Sequence, residues 1–216
     1  MSEVPPAICF DMDGVLVQSE DHWARTQREH ILPTVAPDDE IPLSAITGRD
    51  YTEVYPDLDA EYDLVVSREE YERLFEEAGN EIYGEHATML DGVDDLLADL
   101  REAGVALALT TSAPWDWIDV IEDRFGLLHH FDAAVSAHDI DGPGKPEPGI
   151  YERGATEMGV DPADCWAVED SQAGAQAAVA AGMTTVGFQG DGAETHLPMV
   201  HHLASDAAGL RAVLLE

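Results

Sequence analysis

Residues 8–16 read ICFDMDGVL. With Ala7 before them, Ile8, Cys9 and Phe10 make a short apolar run that stops at Asp11, and a second carboxylate, Asp13, follows two positions on. An unbroken apolar run of this length reads as a strand buried on both faces, as in a parallel sheet. Gly14 lets the chain turn sharply away from the strand end. Acids alone discriminate little here. The 216-residue chain carries 45 Asp plus Glu against 10 Lys plus Arg, a formal net charge of −35.

That charge repels nucleic acid and anionic membranes, so neither is expected as a partner. It suits a halophilic setting, a high-salt cytoplasm in which salt screens self-repulsion. With 45% hydrophobic residues the chain has a core to bury, which excludes general disorder. Cys9 and Cys165 lie in apolar runs outside any CxxC pair and read as buried free thiols. The opening MSEVPPAICF lacks a basic region, and no apolar run approaches the about 18 residues of a membrane span. A cytoplasmic protein is expected.

Outward from the first strand, residues 19–31 read as a helix that the prolines of LPTVAPDDEIPL break. In 68–81, Tyr71, Leu74, Phe75 and Ala78 repeat at amphipathic helical spacing. Then an alternation begins: a helix through Val93, Leu96, Leu97 and Leu100 stopped by Gly104, a strand at 105–111, a helix at 115–125, and a strand at 133–137. A helix from Pro148 to about Met158, a strand at 165–170, a helix at 172–181 and a strand at 184–188 follow, then a short strand near 203 and a last helix. Alternating strands and helices argue a three-layer α/β core, a parallel sheet with helices on both faces. Residues 19–86 are then an insert, mainly helical, and 1–18 with 87–216 form the core.

In open α/β sheets ligands bind beyond the carboxyl ends of the strands. Four segments bring polar groups there: Asp11 and Asp13, Thr111 and Ser112, Lys145 in the loop GPGKPEPG, and Glu169 with Asp170. Lys145 discriminates, because it is the only lysine in the chain. A lone ammonium between glycines and prolines suits a point charge beside carboxylates and a transferring phosphoryl group better than a solvated surface.

DMDGV, the strand-end TTS, GKPEP and VEDSQAG resemble, in order, the four signature motifs of the haloacid dehalogenase-like hydrolases, in the branch of phosphoglycolate phosphatase and β-phosphoglucomutase. The resemblance implies a Rossmann-like core with an inserted helical cap and a phosphatase that uses Mg²⁺ on a small phosphorylated metabolite. It implies that Asp11 is the nucleophile and that Asp13 protonates the leaving alkoxide, then activates water. It also implies that Thr111 and Ser112 hold the phosphoryl oxygens, Lys145 neutralises the nucleophile and the phosphoryl group, and Gly14 lets Asp13 swing over the substrate. The metal falls to Asp11, Asp13 through its carbonyl, Asp170, and Glu169 through water. Hard oxygen ligands suit Mg²⁺, and an aspartate can attack phosphorus directly. Dehalogenases of this fold lack the second acid, so Asp13 points to phosphoryl transfer.

The cap departs from the pattern. Where the branch usually reads GVLVDSEPLH, this chain has GVLVQSEDHW, with Gln18 for Asp and Trp23 at the histidine position. In ITGRDY, Thr47 and Tyr51 stand where phosphoglucomutases carry a lysine and an arginine, leaving Arg49 as a candidate substrate contact. This favours a phosphatase over a mutase of bisphosphates; a non-catalytic binding or regulatory protein is the other alternative. Trp115 and Trp117 flank the cleft or pack the start of their helix. His196, His201 and His202 complete no zinc pattern and read as polar tail residues. A monomer or weak homo-oligomer is expected.

Overall fold

The computed structural model describes residues 4–190 and 197–216. In chain order it holds β1 (Ala7–Phe10), β2 (Val17–Gln18), α1 (Glu20–Thr26), α2 (Leu32–Val35), α3 (Tyr51–Glu61), α4 (Arg68–Glu81), β3 (Thr88–Met89), α5 (Val93–Glu102) and β4 (Ala106–Thr111). There follow α6 (Trp115–Phe125), β5 (Ala133–Ser136), α7 (Gly149–Met158), β6 (Cys165–Glu169), α8 (Gln172–Ala180), β7 (Thr184–Phe188), β8 (His202–Ala204) and α9 (Ala207–Leu215). Six strands pair in parallel in the order β5-β4-β1-β6-β7-β8. β1 is central, as its unbroken apolar run requires, and all four of its residues are fully buried.

Alternation along β1 divides the core. Ile8 and Phe10 pack with Leu96, Leu97 and Leu100 of α5, Ile121 of α6 and Leu210 of α9. Ala7 and Cys9 face Ile150, Tyr151 and Ala155 of α7 and Ala177 and Ala178 of α8. Small residues dominate this second face, so its helices lie close to the sheet. The chain leaves β1 toward β4 and β5, then crosses back beyond β1 to β6. The reversal puts a crevice at the carboxyl ends of β1, β4 and β6, the usual ligand position in such sheets.

Residues 20–86 add no strand to this sheet. They run helically from Glu20 to Val35, one turn further than the prolines suggest. A π-helical turn, Gln27–Ile31, precedes Pro33, and that wider turn accommodates a residue with no N–H to donate. Pro56 stands inside α3, which leaves the Thr52 carbonyl without its helical donor; Arg68 Nη2 donates to it instead, at 3.1 Å. A two-stranded antiparallel ribbon, β2 with β3, ties the helical segment back to the core. No helix among the described residues is long and apolar enough to cross a membrane.

Candidate active site

The crevice gathers the motif residues around Lys145. Its ammonium donates to Asp11 Oδ1 at 2.5 Å, to Glu169 Oε1 at 2.6 Å and to the Thr110 carbonyl at 3.3 Å. Lys145 is 2% exposed, Asp11 6% and Glu169 0%, so all three charges lie out of water. Burial alone would depress the lysine pKa; Asp11 and Glu169 override it and hold the ammonium above its ordinary value. The second oxygen of Glu169 accepts from the Ser171 amide at 3.1 Å and the Ser171 hydroxyl at 3.0 Å, while Tyr151 donates to Oε1 at 2.7 Å. Glu169 is thus spent on protein donors and serves as an anchor for Lys145. Gly174, in the first turn of α8, makes room for it: a Cβ there would stand 1.6 Å from Glu169 Oε1.

Asp13 stands directly before the turn that Gly14 makes at φ +72°, and a Cβ on Gly14 would meet Asp170 Oδ2 at 2.0 Å. Thr111, 1% exposed, accepts the Ala113 amide at its hydroxyl at 3.0 Å, which leaves the hydroxyl proton free for a ligand. Ser112 donates its hydroxyl to the Gly48 carbonyl at 3.2 Å and so joins the core to the helical segment. Asp11, Asp13, Thr111, Ser112, Lys145 and Asp170 all line one cavity of about 80 Å³, room for several waters. From the helical segment Glu20, Trp23, Arg49 and Tyr51 also line it.

A model for haloacid dehalogenase-like hydrolases matches residues 5–182. The chain is 31% identical over 189 residues to validoxylamine A 7′-phosphate phosphatase of Streptomyces hygroscopicus subsp. limoneus, covering 83% of each chain. It is 31% identical over 196 residues to hexitol phosphatase B of Escherichia coli K12, covering 83% of this chain and 82% of the relative. This chain belongs to the haloacid dehalogenase-like hydrolases. Its fold also matches CbbY from Rhodobacter sphaeroides in complex with phosphate, with a TM-score of 0.76, 22% identity, and 95% and 96% of the two chains covered.

In this haloacid dehalogenase-like site, one carboxylate oxygen each from Asp11, Glu169 and Asp170 lie within 4.8 Å of one another. Asp170 accepts no hydrogen bond among the described residues, so its oxygens are unspent. Burial pushes its carboxyl well above the usual range, and Glu20, Glu169 and Asp11 push it further. Burial likewise raises Asp11, against the pull of Lys145. Crowded carboxylates with a single ammonium fit a hard divalent cation, which offsets their repulsion. Asp11 and Asp170 are the residues free to hold one.

Several functional neighbours escape a sequence reading. Glu20 opens α1 beside Gly14 and Asp13; burial, then the Asp13 and Glu169 charges, push its carboxyl up to about 8. It directly follows Ser19 in the GVLVQSEDHW stretch, which is the only signal for it. Tyr83 and Tyr151 carry none. Arg49 pairs with Asp57 at 2.7 Å, and its Nε is buried without a partner. Tyr51 stacks on Phe75 at 5.3 Å and on Trp117 at 5.4 Å, and Thr47 donates to the Leu43 carbonyl. Trp117 does line the cavity, seated against Gly79 of α4, where a Cβ would strike its indole at 2.2 Å. Trp115 instead donates to the Asp139 carboxylate at 2.9 Å. His201 accepts the Thr185 amide at 3.0 Å and His202 stacks on Trp166 at 5.2 Å, both in structural roles, and His196 lies outside the described residues.

Proposed function

We propose that this chain is a Mg²⁺-dependent phosphatase that hydrolyses a small phosphomonoester through an aspartyl phosphate on Asp11. The observation that carries the reading is the Lys145 ammonium shared between Asp11 at 2.5 Å and Glu169 at 2.6 Å, in a crevice also lined by Asp13 and Thr111. A lysine so held keeps the Asp11 carboxylate oriented and offers charge to the phosphoryl oxygens. When bound, Mg²⁺ neutralises the phosphoryl and carboxylate charge. Asp11 attacks phosphorus, Thr111 and the Ser112 amide hold phosphoryl oxygens, and Asp13 gives a proton to the departing ester oxygen, then takes one from the attacking water. Residues 19–86 act as the cap over a core of 1–18 and 87–216, and closure excludes water and reads the leaving group.

Among the described residues, Arg49 is the only cation that the helical segment adds to the cavity lining, and Asp57 already pairs with it. That supports water as the acceptor rather than a second phosphate-bearing sugar, and so a phosphatase rather than a mutase. A panel of sugar, polyol and glycolate phosphates in molar KCl tests this, with Mg²⁺ and again with EDTA. Metal-dependent phosphate release is expected. No release from any ester would overturn the enzyme reading, and interconversion of sugar phosphates without release would favour the mutase.

A further inference from the structure

Asp13 is held by a second, less obvious residue. Its Oδ1 accepts two hydroxyls, Ser19 Oγ at 2.5 Å and Tyr83 at 2.7 Å, and its Oδ2 receives no donor among the described residues. The Tyr83 oxygen in turn accepts the indole N–H of Trp23 at 3.0 Å. A phenol has one proton to give, and with the indole aimed at its oxygen that proton is directed to Asp13. Tyr83 is 1% exposed and packs against Trp117 at 5.4 Å. It stands in the π-helical turn Ile82–His86, where the helical segment rejoins the core just before β3. Arg124 of α6 clamps that turn, donating to the Tyr83 carbonyl and, at 3.0 Å, to the Ala87 carbonyl. One side chain therefore joins the end of the helical segment to a carboxylate 70 residues away.

We infer that Tyr83 is the positioning residue for Asp13, fixing Oδ1 so that Oδ2 meets the departing ester oxygen. The inference rests on the phosphatase reading and deepens it. In the first step an Asp11 oxygen bonds to phosphorus and the ester P–O bond breaks. Its electron pair stays on the departing oxygen, which takes the Asp13 proton and leaves as an alcohol, with Asp13 left as a carboxylate. Tyr83 keeps its own proton throughout. Arg124 holds the Tyr83 turn to α6 of the core, so the phenol keeps its place against Asp13.

The leaving group separates this role from simple packing. An alkyl ester needs the proton, whereas p-nitrophenolate leaves as a stable anion. The test is kcat/KM, which reports the first step, for an alkyl phosphate and for p-nitrophenyl phosphate in wild type, Y83F and S19A. For Y83F the alkyl value is expected to fall by at least about tenfold and the aryl value by less than about threefold, with S19A changing in the same sense. The ratio of the two values does not depend on the fraction of folded enzyme, so a destabilised variant still reports on proton delivery. Equal losses on both esters, or no loss on either, would overturn the positioning role. A wild-type enzyme inert to both would instead overturn the phosphatase reading and the inference with it.

Discussion

Replacing Lys145 by methionine removes the ammonium and keeps an unbranched chain of similar length. The ammonium is shared by Asp11 at 2.5 Å and Glu169 at 2.6 Å, and the side chain is 2% exposed. At an effective dielectric of about 20, charges about 4 Å apart interact by about 4 kcal/mol, and two such pairs converge on this lysine. The desolvation of three groups offsets much of that sum, so the pairs are not added. Deleting one member of a buried pair costs about 3–5 kcal/mol, because the charge left behind stays buried. K145M should therefore lose about 3–5 kcal/mol of unfolding free energy near neutral pH. Its kcat should fall by about 10²–10³, the cost of one preorganised donor to developing charge. The double variant K145M/E169Q separates the two effects. E169Q keeps one acceptor oxygen for the Ser171 amide, turns its NH₂ to the Tyr151 hydroxyl oxygen and removes one stranded carboxylate, so stability should partly return while turnover does not. Denaturant unfolding in molar KCl and steady-state phosphate release measure both. Wild-type stability in K145M, or turnover within about threefold of wild type, would refute the reasoning, since the cited losses are far larger.

Two further outcomes follow from the same geometry. Alanine in a helix ordinarily exceeds glycine by about 0.5–1 kcal/mol, yet G174A would place its Cβ 1.6 Å from Glu169 Oε1. It should lower both Tm and turnover, and a higher Tm with full activity would contradict the position of Glu169. Burial, joined by neighbouring carboxylates, raises Glu20 and Asp170, with Glu20 at about 8. Without a cation the folded state then holds protons that the unfolded chain has released. Stability should fall as pH rises from about 5 to 8. Added Mg²⁺ should flatten that slope, and Tm at both ends of the range in molar KCl, with EDTA or Mg²⁺, is the readout. A Tm that rises with pH in EDTA would contradict the raised carboxyls.

What sequence could reveal was set by how local each signal is. β1 announced itself because a strand buried on both faces must be apolar at every position, and Asp11 marks where burial gives way to the crevice. The face of α4 needed only Tyr71, Phe75 and Ala78 at helical spacing, and its span came out at Arg68–Glu81. Lys145 stood out by being alone. The ribbon of β2 and β3 has two residues per strand, too few to show a period. Tyr83 and Tyr151 reach Asp13 and Glu169 across 70 and 18 residues, and nothing local to either tyrosine encodes that contact. Gly174 reads as an ordinary small residue in an Ala-rich helix until the Glu169 carboxylate is placed beside it. Pro56 deprives the Thr52 carbonyl of its helical donor, and only the fold shows that the distant Arg68 supplies another.

The central claim is that Asp11 carries the phosphoryl group between substrate and water. Wild-type enzyme with Mg²⁺ can be mixed with a ³²P-labelled phosphomonoester, quenched in acid within one turnover and digested. The account predicts hydroxylamine-labile label on the peptide containing Asp11, and none in D11N. Turnover with no protein-bound label, or label on any other residue, would contradict it.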